Sequence, residues 1–180
     1  MPRITSILLL FFMAIFNITN AKTSNHTTKS TGFLTFNEKD FPVDILNYPI
    51  SINETWQATF DETRTNRIFM HTFQYNISKG CIVSAANLTI KIKNLSTINN
   101  NDTIGFVDNG KILFKTNLWK KNETFQTIKT LTFDLAKLPK KLSLLETLND
   151  GDFSFFIEDD TSVDSVELVW TQFCGVNMQN

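Results

Sequence analysis

The stretch Ala86-Asn87-Leu88-Thr89-Ile90-Lys91-Ile92 (ANLTIKI, residues 86–92) alternates apolar and polar residues without a break. Successive side chains of an extended strand point to opposite faces, so this spacing puts Leu88 and Ile90 on one face and Asn87 on the other. It predicts a strand with one side against a core and one toward solvent.

Runs of the same kind, rich in Phe, Ile, Val and Thr and separated by Asn, Asp, Gly and Lys, recur along the chain. They predict nine strands, near 32–36, 55–60, 68–76, 86–93, 103–107, 111–115, 130–135, 152–158 and 165–173. Asp108-Asn109-Gly110 offers residues that tolerate positive φ between two of these runs and reads as a hairpin turn. In Leu142-Ser143-Leu144-Leu145-Glu146-Thr147-Leu148 the apolar spacing is helical; Ser143 suits an N-cap and Asn149-Asp150-Gly151 a left-handed stop. Many short strands, one short helix near 142–149 and no strand–helix alternation predict an all-β chain, an antiparallel β-sandwich of jelly-roll or Greek-key type.

The chain opens MPRITSILLLFFMAIFNITNA, with Arg3 ahead of an apolar run from Ile7 to Phe16 and with Thr19 and Ala21 at the small-residue spacing of signal-peptidase sites. That run is shorter than the ~20 residues a bilayer span needs, so residues 1–21 read as a secretory signal peptide, not a membrane anchor. Cleavage after Ala21 leaves 159 residues with a formal charge of −2, enough for one domain. The polar, aperiodic 22–30 reads as a loose N-terminal arm, 31–175 as a single sandwich domain and 176–180 as a short tail. No block of like charge exceeds a triplet, which makes nucleic acid and anionic membrane poor partners. Seventeen Phe against 2 Tyr and 3 Trp, with only 4 Pro and 6 Gly, point to a Phe-filled core and away from disorder.

Cys81 and Cys174 are the only cysteines, and an even pair in a secreted chain reads as a disulfide. Metal binding or thiol chemistry would need further ligands or a paired base. After Ala21 the pattern Asn-x-Ser/Thr occurs at Asn25, Asn53, Asn76, Asn87, Asn94, Asn101 and Asn122, seven candidate N-glycosylation sites if the chain passes through a eukaryotic secretory pathway.

The second half, in ANLTIKIKN, NDTIGF, TLTFDLAKLP, LLETLNDG and DFSFFIEDDTSVDSVELVW, resembles a domain of exported bacterial proteins, many with PEP-CTERM sorting tails. There a TLTLDL-type strand and a Leu-Pro precede a Leu-rich helix and a hairpin around an acidic QDDTAVD-like turn. The matching residues are 131–139, 144–151 and 157–168, within a likeness spanning roughly 81–170. The resemblance implies a β-sandwich and carries no assigned activity or site residue. This chain departs from it in lacking a sorting helix and in carrying two cysteines and many sequons.

Between the runs ending at Ile157 and resuming at Val166 lies an acidic knot of Glu158, Asp159, Asp160 and Asp164. Asp and Thr here bond their own backbone, so the knot reads as a hairpin connection. Asp159, Asp160 and Asp164, with Asp150 or Asp152, also supply the hard oxygens that Ca²⁺ takes in extracellular modules. Two adjacent acids in a turn point apart, unlike the facing carboxylates of glycoside hydrolysis. His71 shares a strand face with Phe69, Phe73 and Tyr75 and reads as structural, while His26 falls in the loose arm. No nucleophile elbow, zinc-protease helix or phosphate loop is present, which disfavours an enzyme. Trp119, beside Lys120 and Lys121, and Trp56, near Asn53, are candidate sugar-binding platforms, whereas Trp170 belongs to a core pattern.

These readings converge on a secreted, disulfide-bonded, glycosylated β-sandwich with a structural or binding role outside the cell and no resident cofactor beyond a candidate Ca²⁺. The rivals are a lectin-like carbohydrate-binding module and, behind it, a secreted hydrolase.

Overall fold

The computed structural model describes residues 22–31, 55–56, 60–63, 65, 67–97, 102–109, 111–158 and 160–175, with backbone alone at 29–31 and 55–56. The expected signal peptide, the tail and the strand near 32–36 lie outside the described residues. The strands are β1 (Lys22–Thr31), β2 (Thr55–Trp56), β3 (Arg67–Gln74), β4 (Cys81–Asn94), β5 (Thr103–Asp108), β6 (Lys111–Asn117), β7 (Ile128–Asp134), β8 (Asp152–Ile157) and β9 (Thr161–Cys174).

They form two sheets, a four-stranded one in the order β1-β9-β4-β7 and a five-stranded one in the order β2-β3-β8-β5-β6. All pairings are antiparallel except the short parallel contact of β2 with β3. Except at the β2–β3 contact and the β5–β6 hairpin, each successive strand lies in the other sheet. Leaving aside β2, this is the strand order of a jelly roll, the sandwich expected from the period-two patterning.

Alternation builds the core. Phe69, Phe73, Ile104, Phe106, Phe153 and Phe155 from one sheet meet Val83, Leu88, Ile90, Ile92, Val166, Leu168 and Trp170 from the other, all nearly inaccessible to solvent. Each such side chain contributes roughly 1.5–3 kcal/mol when removed from water. Within the four-stranded sheet Leu88 lies opposite Leu168 and Ile90 opposite Val166, so their burial is shared across the ladder. Phe156 follows Phe155 and therefore faces the other way, into a second apolar cluster with Ile68, Met70 and Val107. A hydrogen-only position at Gly105 makes room for it, since a Cβ there would fall 2.2 Å from Phe156 Cε1.

Several expectations are corrected. Residues 22–31 are not a loose arm but a strand whose ten residues pair in continuous register with β9; backbone pairing needs no apolar side chains, and Thr favours extended backbone. The helix near 142–149 is absent. That segment holds only a 3-10 turn, Thr147–Asp150, ended by Gly151 at φ 88°, because seven residues do not repay helix nucleation. Leu144 and Leu148 are buried as their spacing required, while Leu144 N bonds Leu135 O and Leu148 N bonds Leu144 O. The acidic segment is not a hairpin connection, because β8 and β9 belong to different sheets. The Asp108–Lys111 turn is a hairpin, with Asn109 at φ 45°.

Cys81 and Cys174 are joined, with Cα atoms 4.0 Å apart. They are the first residue of β4 and the last of β9, directly opposite in the ladder, so the bond ties neighbouring strands of one sheet and does not bridge the two layers.

Gly105→Ala should destabilise the fold by roughly 1–3 kcal/mol, read as a lower urea midpoint, and Gly105→Ala with Phe156→Leu should recover part of the loss. Replacing both cysteines by Ser should remove up to ~4 kcal/mol by the loop-closure relation; an unchanged midpoint would show that the ladder alone fixes these strand ends.

Candidate functional site

The acidic segment is where the sequence placed its candidate metal chemistry, and it is divided among separate partners. Glu158 accepts from Thr103 Oγ1 and lies 3.0 Å from Lys115 Nζ. Asp160 uses its carbonyl to receive Leu95 N at 2.7 Å. Asp164 lies within β9 where the register with β4 shifts, between the Lys91–Ser165 and Ile92–Val163 pairs. Such a bulge re-aims a side chain. The Asp164 carboxylate lies 2.7 Å from Lys91 Nζ and hydrogen-bonds Asp61, a residue at φ 57°. Partial burial raises the Asp61 carboxyl above the usual range, the Asp164 bond and charge add to this, and Lys91 opposes it. The Lys91 ammonium is raised in turn by its bond to Asp164.

Asp159 lies outside the described residues. Asp152 opens β8 opposite Gln74, at the far end of that strand from Glu158, so Asp150 and Asp152 do not join the cluster. Among the described residues no three His, Cys, Asp or Glu side chains converge to hold a metal ion.

Trp119 is not an exposed platform. It is 5% accessible, its Nε1 donates to Thr161 Oγ1 at 2.7 Å, and Thr161 Oγ1 donates to Asp102. Lys129 Nζ sits 4.3 Å above the indole, while it also donates to Leu118 O and to Glu123 at 2.6 Å. Burial pushes the Glu123 carboxyl up, but the bonds from Lys129 and from Lys120 N outweigh it and hold the group below its ordinary value. Local sequence gave no sign of this arrangement, because Asp102 and Thr161 are distant in the chain. The side chain of Trp56 lies outside the described residues.

The sequons separate by environment. Asn25, Asn76, Asn87 and Asn122 are exposed, whereas Asn53 and Asn101 lie outside the described residues. Asn94 corrects the sequence reading. It is fully buried, its Nδ2 donates to Glu123 O at 3.4 Å and Thr124 O at 3.2 Å, and its Oδ1 accepts from Ser96 N at 2.8 Å. A sugar on Nδ2 is incompatible with that packing.

The two histidines differ. His26, in β1, stacks on Trp170 with ring centroids 5.2 Å apart. His71 is buried among Phe60, Phe69, Phe73 and Phe155, and its Nε2 has no hydrogen-bond partner among the described residues. Burial lowers its pKa from 6.5 to about 4. Tyr75, raised by burial and by the charges of Asp152 and Asp150, places its hydroxyl 2.9 Å from Leu148 O and 3.1 Å from Asp152 O, fastening the turn that leads into β8.

No protein-family model matches the chain, and no curated protein matches it. Among the described residues no helix is long and apolar enough to cross a membrane.

The fold favours neutral His71, so its contribution is intact above pH 6.5 and lost as pH falls toward 4. The gap between 6.5 and about 4 corresponds to roughly 3 kcal/mol. His71→Phe should therefore flatten the fall in thermal midpoint across that window; equal slopes in both proteins would refute the assignment.

Proposed function

We propose that the protein is an exported, N-glycosylated jelly-roll domain with a binding or structural role outside the cell. The Cys81–Cys174 bond carries this reading, because structural disulfides persist where the surroundings are oxidising. Four exposed sequon asparagines and the signal-like pattern of residues 1–21 support it, as does the resemblance to exported sandwich domains.

A non-catalytic role accords with the acids of the 158–164 segment, where Glu158 and Asp164 are each paired with a lysine. The lectin-like alternative loses the indole of Trp119 as a stacking surface, since that ring is covered by Lys129 and packed in the core.

Intact mass of the secreted protein tests the reading in one measurement. The expected result is loss of the first 21 residues, a further fall on enzymatic deglycosylation, and a gain of two hydrogen masses on reduction. A mass equal to the full chain and indifferent to both treatments would overturn it.

A further inference from the structure

We infer that Asn25 and Asn87 carry a pair of N-linked glycans that together cover the outer face of the four-stranded sheet, and that Asn94 carries none. This placement rests on the proposed export through a glycosylating pathway.

Three adjacent strands set the geometry. Asn25 of β1 lies opposite Thr171 of β9; Thr171 lies opposite Ala85 of β4, and Asn87 opposite Val169. The two asparagines are thus two strand spacings apart across the sheet and two residues apart along it, roughly 12 Å between Cα atoms. Both are on the face away from the core, since Leu88, Leu168 and Trp170 alternate inward. A branched oligosaccharide is wider than this gap, so two of them flank β9 and overlie Val169 and Thr171 between them.

The side-chain chemistry agrees. Thr171 Oγ1 donates to Asn25 Oδ1 at 2.8 Å, which steadies the carboxamide through its oxygen and not through Nδ2, the atom that bears the sugar. The surrounding outer face mixes Thr23, Thr27, Thr89, Thr130 and Thr132, the Thr89 and Thr132 hydroxyls 3.2 Å apart, with Lys91, Glu167 and the exposed apolar Ile82, Phe173 and Ile128, apolar area that a bulky, solubilising sugar would shield. At Asn94 the relation is inverted: Nδ2 is the buried donor that secures Glu123 and Thr124, and Leu95 and Ser96 of the same sequon are buried with it. A chain sugar-modified at Asn94 cannot close this loop over β4.

The test expresses the full chain in a eukaryotic secretory host with Thr27→Ala, Thr89→Ala or Ser96→Ala, each removing one sequon while leaving its asparagine. Thr27→Ala and Thr89→Ala should each lower the intact mass by one glycan, Ser96→Ala by none, and hydroxyl-radical oxidation of Val169 should rise on deglycosylation. A fall in mass with Ser96→Ala, no change with Thr27→Ala or Thr89→Ala, or unchanged Val169 oxidation would overturn the placement. Secreted protein free of sugar would overturn the placement and leave export standing. Unsecreted, unmodified protein would overturn the reading on which it rests.

Discussion

The pairing of β4 with β9 is the constraint from which the rest of the molecule follows. These fourteen-residue strands lie at the centre of the four-stranded sheet, β9 between β1 and β4, and β4 between β9 and β7. Their register decides which side chains face the core. A slip of one residue would turn Leu88, Ile90, Val166 and Leu168 outward and bring Asn87, Lys91 and Glu167 in. The ladder shifts twice, between Val83 and Ala85 and between Lys91 and Ile92. At the first shift the Asn149 side chain receives Val83 N at 2.7 Å. At the second Asp164 turns toward Lys91 and Asp61. Both irregularities therefore have polar side chains beside them, as is usual where a bulge re-aims a residue.

Much of this was legible from hydropathy, and the exceptions have physical causes. Alternation located β3 to β9 because each has one face in the core, which is the condition that imprints period two on a sequence. It missed β1 because that strand is held by backbone pairing beneath a sequence of Ser, Thr, Asn, Lys and His. It overreached at 142–149, where leucines spaced by four serve a single turn as well as they serve a helix. Local pattern also says nothing about which sheet a strand joins, so the segment after Ile157 looked like a hairpin when it is a crossing between layers. The candidate sites were less legible for the same reason. Trp119 and Asn94 sit in polar stretches, and their burial is set by Asp102, Thr161, Glu123 and Lys129, partners that a window of neighbouring residues does not contain.

The polar groups of the interior divide into two kinds. Trp119 donates to Thr161 and Thr161 to Asp102, and Lys129 pairs with Glu123 over the same indole, so the loop before β7 is fixed by specific bonds. His71 lies in an aromatic nest that offers its Nε2 no hydrogen-bond partner among the described residues. The first group gives the loop one conformation. The second makes the hydrophobic core itself sensitive to protons.

β1 and β9, the first and last of the described strands, lie side by side. The ribosome therefore releases β1 long before its neighbour exists, and the four-stranded sheet closes only when synthesis has passed Cys174. Until then the growing chain holds many aromatic residues without their final partners, and closing the sheet waits on the long loop between these two strands. If oligosaccharides are attached to the nascent polypeptide, as proposed, they precede that closure, and folding then acts as a filter on which modified molecules reach the native state.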